Sequence, residues 1–316
     1  MFFIELIQKL SSPFFDMFFE AITFFAEQYI ALLILGIVFW CMRKEFSVPF
    51  CLTAVSSYSI NTMFKNIFRI ERPYVSLETS TAYAPHGVKE SGKLFVLRGH
   101  TATGYSFPSG HTQFAVSAYG ALGFYFKKIW RILAIIAILL VGISRMYLGV
   151  HTIYDVLGAV IIGSLWTWLG FIIYKKIVLK YGNIMIFIYA APALISAVLM
   201  NRNDIGDTFR TFGLVFGMAV GLYIEERFIK FNPSNIMDTS QNKHRLYYKL
   251  KYNIIKVIAG IFCAVVIYFG LSFLLKFLPD NEIIKNIFEL FLTFALSFWT
   301  FCGYPFIIVL IQKRKD

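Results

Sequence analysis

Long apolar runs separated by short polar or charged stretches dominate the pattern of this chain. Nine runs have the length of about 17 to 25 residues that a helix needs to cross the hydrocarbon core of a bilayer. The pattern therefore predicts an all-α fold, a polytopic membrane helical bundle of about nine transmembrane helices. The predicted spans lie near residues 26–42, 47–68, 109–126, 129–148, 152–174, 183–200, 208–227, 253–276 and 286–311.

The first 25 residues have a different pattern, because acidic and basic positions alternate with phenylalanines there. A mixed pattern of this kind is typical of a helix that lies in the membrane interface. Residues 1–25 also lack the basic leader of a secretory signal. We therefore expect an N-terminal interfacial amphipathic helix.

Composition supports a membrane protein: 58% of the 316 residues are hydrophobic and only 15% are charged. The net charge of +12 arises mainly from five connections, those after spans one, three, five, seven and nine. The positive-inside rule makes this side cytoplasmic. Anionic lipid headgroups of the bilayer are the ordinary counterpart of such charge, so no nucleic acid partner is expected.

Basic residues also occur at the opposite ends of the spans, where the rule does not expect them. Lys65 and Arg72 are seven residues apart, which on a helix brings both side chains to nearly the same face. A charged side chain at the centre of a bilayer costs on the order of 3 kcal/mol, so such residues usually face a functional cavity. This pair predicts an anion-binding helix end.

Two further polar groups have the same predicted location. The first is Pro108-Ser109-Gly110-His111, and the second is Ser144-Arg145 followed by His151 and Asp155. Because His151 and Asp155 are spaced i, i+4, the carboxylate can accept the proton of one ring nitrogen and leave the other nucleophilic. Together with the basic pair, these groups predict a phosphate site open to the extracytoplasmic face.

The pattern K-x6-RP, PSGH and SR-x5-H-x3-D resembles the type 2 phosphatidate phosphatase family, whose fold is shared with vanadium haloperoxidases. The resemblance covers roughly residues 60–160 and lacks no element of the pattern. It implies a phosphatidate phosphatase/haloperoxidase-like core. We therefore expect a six-span catalytic core at 26–200 and an accessory three-span membrane region at 201–316.

The resemblance also implies roles for the motif residues. His151, oriented by Asp155, would attack phosphorus and form a phosphohistidine, and His111 would protonate the leaving oxygen. The remaining groups would hold the non-bridging oxygens of the phosphate. They are the side chains of Lys65, Arg72 and Arg145 and the backbone N–H groups of Ser109 and Gly110.

Neither a metal nor another cofactor is expected. Of the 18 acidic residues, only Glu71 and Asp155 are close to the motifs in sequence, too few for a two-metal phosphatase site. The basic side chains would take the place of magnesium. The four cysteines show no CxxC spacing, which argues against a zinc site or a disulfide framework.

These observations predict a lipid phosphatase of a bacterial cell membrane, with its site on the extracytoplasmic side. Candidate substrates are phosphatidic acid, phosphatidylglycerol phosphate, a polyprenyl pyrophosphate and a sphingoid-base phosphate. A phosphotransferase that passes the phosphoryl group to a lipid or sugar hydroxyl is the main alternative. A soluble sugar phosphate, as in glucose-6-phosphatase, remains a third enzyme hypothesis. A non-enzymatic anion transporter is less favoured, because no broken helices or paired repeats are evident.

Several polar residues are given structural interpretations. Residues 74–107 form a connection long enough for a lid, and its His86 and His100 are not assigned to catalysis. Arg69 and Glu71 are expected to be an interfacial ion pair or solvated charges. The charged residues between spans six and seven are expected to form a solvated hairpin: Arg202, Asp204, Asp207 and Arg210.

A stripe of small residues runs along the seventh span, at Gly213, Gly217 and Gly221. Glycines at this spacing let two helices approach closely. Packing within the chain is the favoured interpretation of the stripe, and a homodimer is the alternative.

Overall fold

The computed structural model describes residues 2–73, 104–200, 205–233 and 245–313. Every regular element in these ranges is helical, which confirms the predicted all-α fold. Most of the predicted lid, the residues 74–103, lies outside them.

The helices of the first half of the chain are Phe2–Gln8, Pro13–Phe24, Gln28–Cys41, Lys44–Phe68, Gly110–Ala115 continued by Val116–Gly120 and Ala121–Tyr125, and Lys128–Tyr147. Those of the second half are Ile153–Ile173 continued by Tyr174–Val178 and Leu179–Tyr181, Asn183–Ala190 continued by Ala191–Leu199, Ile205–Ile224 continued by Glu225–Ile229, Arg245–Leu274 continued by Leu275–Phe277, and Glu282–Phe298 continued by Trp299–Gly303 and Tyr304–Lys313.

Four helices in the described ranges are long and apolar enough to cross a membrane: Lys128–Tyr147, Ile153–Tyr181, Leu250–Phe277 and Glu282–Lys313. The helices before and after residues 25–27 meet at an angle of 51° and make a fifth candidate if they count as one span. The predicted count of nine is therefore not confirmed, although each of these candidates coincides with or overlaps a predicted span.

The other predicted spans are also helical, but they are shorter or more polar than a single apolar crossing requires. The helix Lys44–Phe68 buries Ser56, Ser57, Asn61 and Lys65 inside the protein. Such residues lower the apolar character of the helix, and they are tolerated because protein groups surround them. The length of an apolar run does not reveal this distinction.

The N-terminal stretch contains two helices where one was expected. The first ends at Gln8 and the second begins at Pro13, with Ser12 as its N-cap. The Ser12 hydroxyl accepts a hydrogen bond from the Phe15 N–H at 3.3 Å. A serine followed by proline at the first helical position is a standard helix start, which explains the break. Location of this stretch in the membrane interface stays a prediction.

One compact unit comprises residues 1–31, 56–169 and 192–208, and it contains all the predicted site residues. Phe19 packs in its core with a ring-centroid distance of 4.4 Å to Tyr147. Leu148 and Val150 are buried in the same cluster. Since both residues lie within the three positions before His151, the cluster fixes the turn that carries the predicted nucleophile.

The second compact unit comprises residues 32–55, 170–191 and 209–316. Its glycine stripe packs against the helix Glu282–Phe298: a Cβ added at Gly213 or Gly217 would overlap the carbonyl oxygen of Leu290 or Phe294. Only glycine allows the two backbones to come so close. The prediction that the stripe packs within the chain is confirmed, while a homodimer stays a prediction.

Candidate active site

His151 and Asp155 form a buried imidazole–carboxylate pair. Nδ1 of His151 is 3.6 Å from Oδ2 of Asp155, and both side chains are almost fully buried. The helix begins at Ile153, so His151 lies in the preceding turn while Asp155 is in the first helical turn. The pairing predicted from the i, i+4 spacing is therefore present, although the two residues do not share a helix.

A capping box holds Asp155 in place. Oδ2 of Asp155 accepts hydrogen bonds from the backbone N–H of Thr152 at 2.6 Å and from its hydroxyl at 3.0 Å. The Asp155 N–H lies 3.4 Å from the same hydroxyl. This reciprocal arrangement is a known start signal for helices, and it fixes the carboxylate at the first turn.

Ser106 is a site residue that sequence reasoning missed. Its hydroxyl donates to Oδ2 of Asp155 at 2.7 Å and lies 3.4 Å from Nδ1 of His151. The Ser106 N–H donates to the carbonyl of Ile70 at 2.7 Å, which fixes the serine backbone. No local pattern connects Ser106 with residues 45 to 49 positions further along the chain.

Arg72 contacts the other side of the imidazole. Its Nη1 is 3.3 Å from Nε2 of His151 and donates to the carbonyl of Val150 at 3.2 Å. The Nε–H of Arg72 donates to the carbonyl of Gly104 at 3.1 Å.

The expectation that Arg72 shares a helix face with Lys65 is wrong. The helix ends at Phe68, and Arg69 has a positive φ of 52° that turns the chain.

Burial lowers the pKa of His151 well below its usual value. The neighbouring charge of Asp155 opposes this effect, and those of Arg72 and Arg145 reinforce it. A buried histidine of this kind is neutral near pH 7, which is the form that can attack an electrophile.

Lys65 is buried and pairs with an acidic residue that was expected to be solvated. Its Nζ is 3.5 Å from Oδ2 of Asp207. Asp207 and Arg210 both lie in the helix Ile205–Ile224, so the predicted hairpin is wrong at these two residues. Arg202 and Asp204 lie outside the described residues. The neighbouring Asn66 donates to the hydroxyl of Ser196 at 3.1 Å. These contacts hold the end of the Lys65 helix.

Arg145 lies in the last turn of the helix Lys128–Tyr147 and is 3% exposed. Its Nη1 donates to the Thr23 hydroxyl at 3.4 Å. The charge of Arg145 acts on both His111 and His151. The hydrogen bond to Thr23 joins this end of the helix to the helix Pro13–Phe24.

The Pro108–His111 loop opens a helix, as predicted. The helix begins at Gly110 with Ser109 as N-cap, and His111 is its second residue. The Ser109 N–H donates to the backbone carbonyl of Asp155 at 3.1 Å, which ties the second motif to the third. A phosphate contact from this N–H would have to share or replace that bond.

Asn61 fixes the same loop and was also missed from the sequence. Its Nδ2 donates to the carbonyl of Pro108 at 3.0 Å and to Oε1 of Gln113 at 3.1 Å. A Cβ added at Gly110 would lie only 3.1 Å from Oδ1 of Asn61. The glycine therefore allows the loop to lie against Asn61.

No group of three His, Cys, Asp or Glu side chains is arranged to hold a metal ion in the part of the chain that the structure describes. What the described residues do bring together is the His151 imidazole, the buried Arg72 guanidinium and the Asp155 carboxylate. In such an arrangement a guanidinium can bind the oxygens of a phosphoryl group, and an imidazole can displace the ester oxygen from phosphorus.

Two family models match the chain. One, described as "PAP2 superfamily", covers residues 46–179. The other, described as "PAP2 superfamily phosphatase, transmembrane extension", covers residues 209–315. All predicted site residues lie in the first range.

Curated relatives and a solved structure show similarity to parts of the chain. Phosphatidylglycerophosphatase B of Escherichia coli (strain K12) is 32% identical over 175 residues, covering 44% of this chain and 68% of that protein. Phosphatidylglycerophosphatase B of Bacillus subtilis (strain 168) is 41% identical over 71 residues, covering 19% of this chain and 35% of that protein. The crystal structure of a transmembrane PAP2 type phosphatidylglycerolphosphate phosphatase from Bacillus subtilis matches with a TM-score of 0.42 and 24% identity, covering 55% of this chain and 84% of that chain.

Proposed function

Because this chain belongs to the PAP2 superfamily and is a membrane protein, we propose that it is a metal-independent phosphatase that removes phosphate from a lipid phosphate or pyrophosphate. One observation carries the proposal. His151 has a carboxylate beside one ring nitrogen and a guanidinium beside the other. This arrangement supports attack by Nε2 on a phosphorus atom whose oxygens are held by Arg72.

In the first step, Nε2 of His151 forms a bond to phosphorus while the bond from phosphorus to the lipid oxygen breaks. His111 donates a proton to that leaving oxygen, and Asp155 stabilises the positive charge that develops on His151. In the second step, water gives a proton to His111 and attacks the phosphohistidine, which releases inorganic phosphate and free His151. General acid help of this kind contributes typically about 10² to 10⁴-fold to the rate.

The basic groups stabilise the transition state. Lys65, Arg72 and Arg145 are all nearly buried, and cations in a site that excludes water act more strongly on developing negative charge. The Ser109 and Gly110 N–H groups would add donors at the start of a helix. These fixed charges perform the role that magnesium has in many phosphoryl-transfer enzymes.

The substrate is proposed to be a membrane lipid, whose tails remain in the bilayer while its phosphate reaches the site. Since the curated relatives are named phosphatidylglycerophosphatase B, phosphatidylglycerol phosphate is the first candidate to test. Phosphatidic acid, a polyprenyl pyrophosphate and a sphingoid-base phosphate are the others.

The site is proposed to face the extracytoplasmic side. The basic connections, among them Lys127-Lys128 and Lys175-Lys176, lie at the opposite ends of the helices that carry Arg145 and Asp155. The positive-inside rule assigns such connections to the cytoplasm.

The orientation is tested by replacing Lys127 or Thr152 with a single cysteine and labelling intact cells with a reagent that does not cross the membrane. Label at Lys127 and none at Thr152 would contradict it.

The activity is tested by release of inorganic phosphate from the four lipids, using detergent-solubilised protein with a chelator present. We expect release from at least one lipid and an acid-labile phosphoenzyme in a rapid quench with ³²P-labelled substrate. No release from any lipid, or release that depends on added magnesium, would contradict the proposal. Transfer of the label to a lipid or sugar hydroxyl in place of water would instead support the phosphotransferase.

A further inference from the structure

Glu27 is an acidic residue outside both family matches, at the bend between the helices Pro13–Phe24 and Gln28–Cys41. Its Oε1 is 3.7 Å from Nε2 of His111. Nothing in the sequence pattern connects an acidic residue of the N-terminal segment with the PSGH motif. The structure thus adds a second imidazole–carboxylate contact, of nearly the same length as the one between His151 and Asp155.

The bend that carries Glu27 is held by two tyrosines. The Tyr58 hydroxyl donates to the carbonyl of Ala26 at 3.3 Å, and the Tyr119 hydroxyl donates to the carbonyl of Phe25 at 2.8 Å. Tyr119 belongs to the same helical stretch as His111. The backbone next to Glu27 is therefore fixed with respect to the imidazole that the carboxylate faces.

Charged groups from three parts of the chain surround His111. Arg145, from the helix Lys128–Tyr147, and Lys65, from the helix Lys44–Phe68, are the cations that act on this imidazole, and Glu27 is the anion. Two nearby cations disfavour a protonated imidazole, and a nearby carboxylate favours it. A general acid has to carry its proton before the reaction begins.

We propose that Glu27 is a positioning residue for His111: it accepts a hydrogen bond from Nε2–H, favours the protonated form of the imidazole, and leaves Nδ1–H for the leaving oxygen. This inference rests on the proposed function. The proton on Nδ1 goes to the lipid oxygen as its bond to phosphorus breaks, and Nδ1 takes a proton from water in the second step. Nε2–H stays with Glu27 throughout. A separation of 3.7 Å is longer than a hydrogen bond, and contacts of this kind commonly shorten when substrate binds.

Glu27→Gln tests the proposal, because it keeps the size of the side chain and removes its charge. We expect kcat for the lipid phosphate to fall about tenfold to a hundredfold while KM changes little, since the general acid is impaired and binding is not. The alkaline limb of the kcat–pH profile should move to lower pH. Glu20→Gln, on the preceding helix, is the matched control and should behave as wild type.

The leaving group provides a second readout. p-Nitrophenyl phosphate releases a stable phenolate that needs little protonation, so Glu27→Gln should reduce its hydrolysis much less than that of the lipid. Glu27→Asp keeps the charge at a longer distance and should have a kcat between those of wild type and Glu27→Gln. It also provides a test if Glu27→Gln does not fold.

The outcomes separate this inference from the proposed function. Wild-type protein that releases no phosphate from any lipid contradicts the proposed function. If the wild-type protein is active and the alkaline limb of the kcat–pH profile does not move in Glu27→Gln, the role of Glu27 is overturned while the proposed function stands. An equal loss of lipid and p-nitrophenyl phosphate hydrolysis, without a shift of the limb, also overturns it, because that result indicates only a structural role.

Discussion

Arg72 and His151 are in direct contact, with Nη1 of the guanidinium 3.3 Å from Nε2 of the imidazole. The guanidinium is held from behind by the carbonyls of Gly104 and Val150. The ring nitrogen that faces away from Asp155 thus lies beside a fixed cation. A phosphate oxygen bound by Arg72 would bring phosphorus next to that nitrogen, which is the relationship on which the proposed mechanism depends.

Replacement of His151 by alanine should abolish turnover, because no other group in the proposed mechanism forms the phosphoenzyme. Vanadate binding should remain measurable, although weaker, since Lys65, Arg72 and Arg145 still provide the anion site. Phosphate release and vanadate titration of the purified variant check both points. Full activity of His151→Ala would refute its role as nucleophile.

The pH dependence of kcat/KM should reflect the lowered pKa of His151. The imidazole is nucleophilic only when neutral, that is, above its pKa. Since burial lowers that pKa well below about 6.5, the acid limb of the kcat/KM profile, where His151 becomes protonated, should lie in a more acidic range. Asp155→Asn removes an anion that raises the pKa, so its acid limb should move further down. An acid limb above pH 6.5 in the wild type would contradict this assignment.

Ser106→Ala should lower kcat by roughly tenfold, because one hydrogen bond to a charged group contributes about 1.5 to 3 kcal/mol and Asp155 retains its Thr152 donors. KM should change little. Ser117→Ala is the matched control, as Ser117 is also buried and donates to another serine, Ser57, at 2.9 Å. Equal kcat values for wild type and Ser106→Ala would show that the serine does not position Asp155.

Asp207→Asn should strengthen inhibition by inorganic phosphate. The Asp207 carboxylate lies 3.5 Å from the Lys65 ammonium and competes with an incoming anion for it. Removing this charge should lower the inhibition constant about threefold to tenfold, as expected for a close charge that opposes anion binding. Steady-state inhibition assays measure the constant, and Asp280→Asn, at an exposed ion pair in the second unit, is a suitable control. A weaker inhibition in Asp207→Asn would argue that Lys65 needs its partner to be positioned.

Gly213→Ala should destabilise the protein by about 1 to 3 kcal/mol, the usual cost of an extra methyl group in a closely packed contact. The added Cβ would overlap the carbonyl oxygen of Leu290, and a backbone atom cannot rotate away. Gly270→Ala is the matched control, because a Cβ there meets nothing within 4 Å. Thermal unfolding in detergent should show a lowered midpoint for Gly213→Ala only.

Predictions from local patterns were more successful than those that depend on distant residues. The pairing of His151 with Asp155 and the start of a helix near Gly110 follow from short spacings, and the structure contains both. The shared helix face of Lys65 and Arg72 was predicted wrongly, because the pattern does not show that the chain turns at Arg69. The count of nine spans failed to be confirmed because apolar length does not distinguish a membrane crossing from a helix with buried polar residues.

The sequence by itself determined the all-helical membrane class and the identity of the motif residues, since apolar run lengths and short spacings depend only on neighbouring positions. Tertiary structure alone decided that Ser106 supports Asp155, that Asp207 pairs with Lys65 and that Glu27 faces His111. These contacts join residues far apart in the chain. Their geometry is set by how helices pack and where they bend, and no local pattern encodes it.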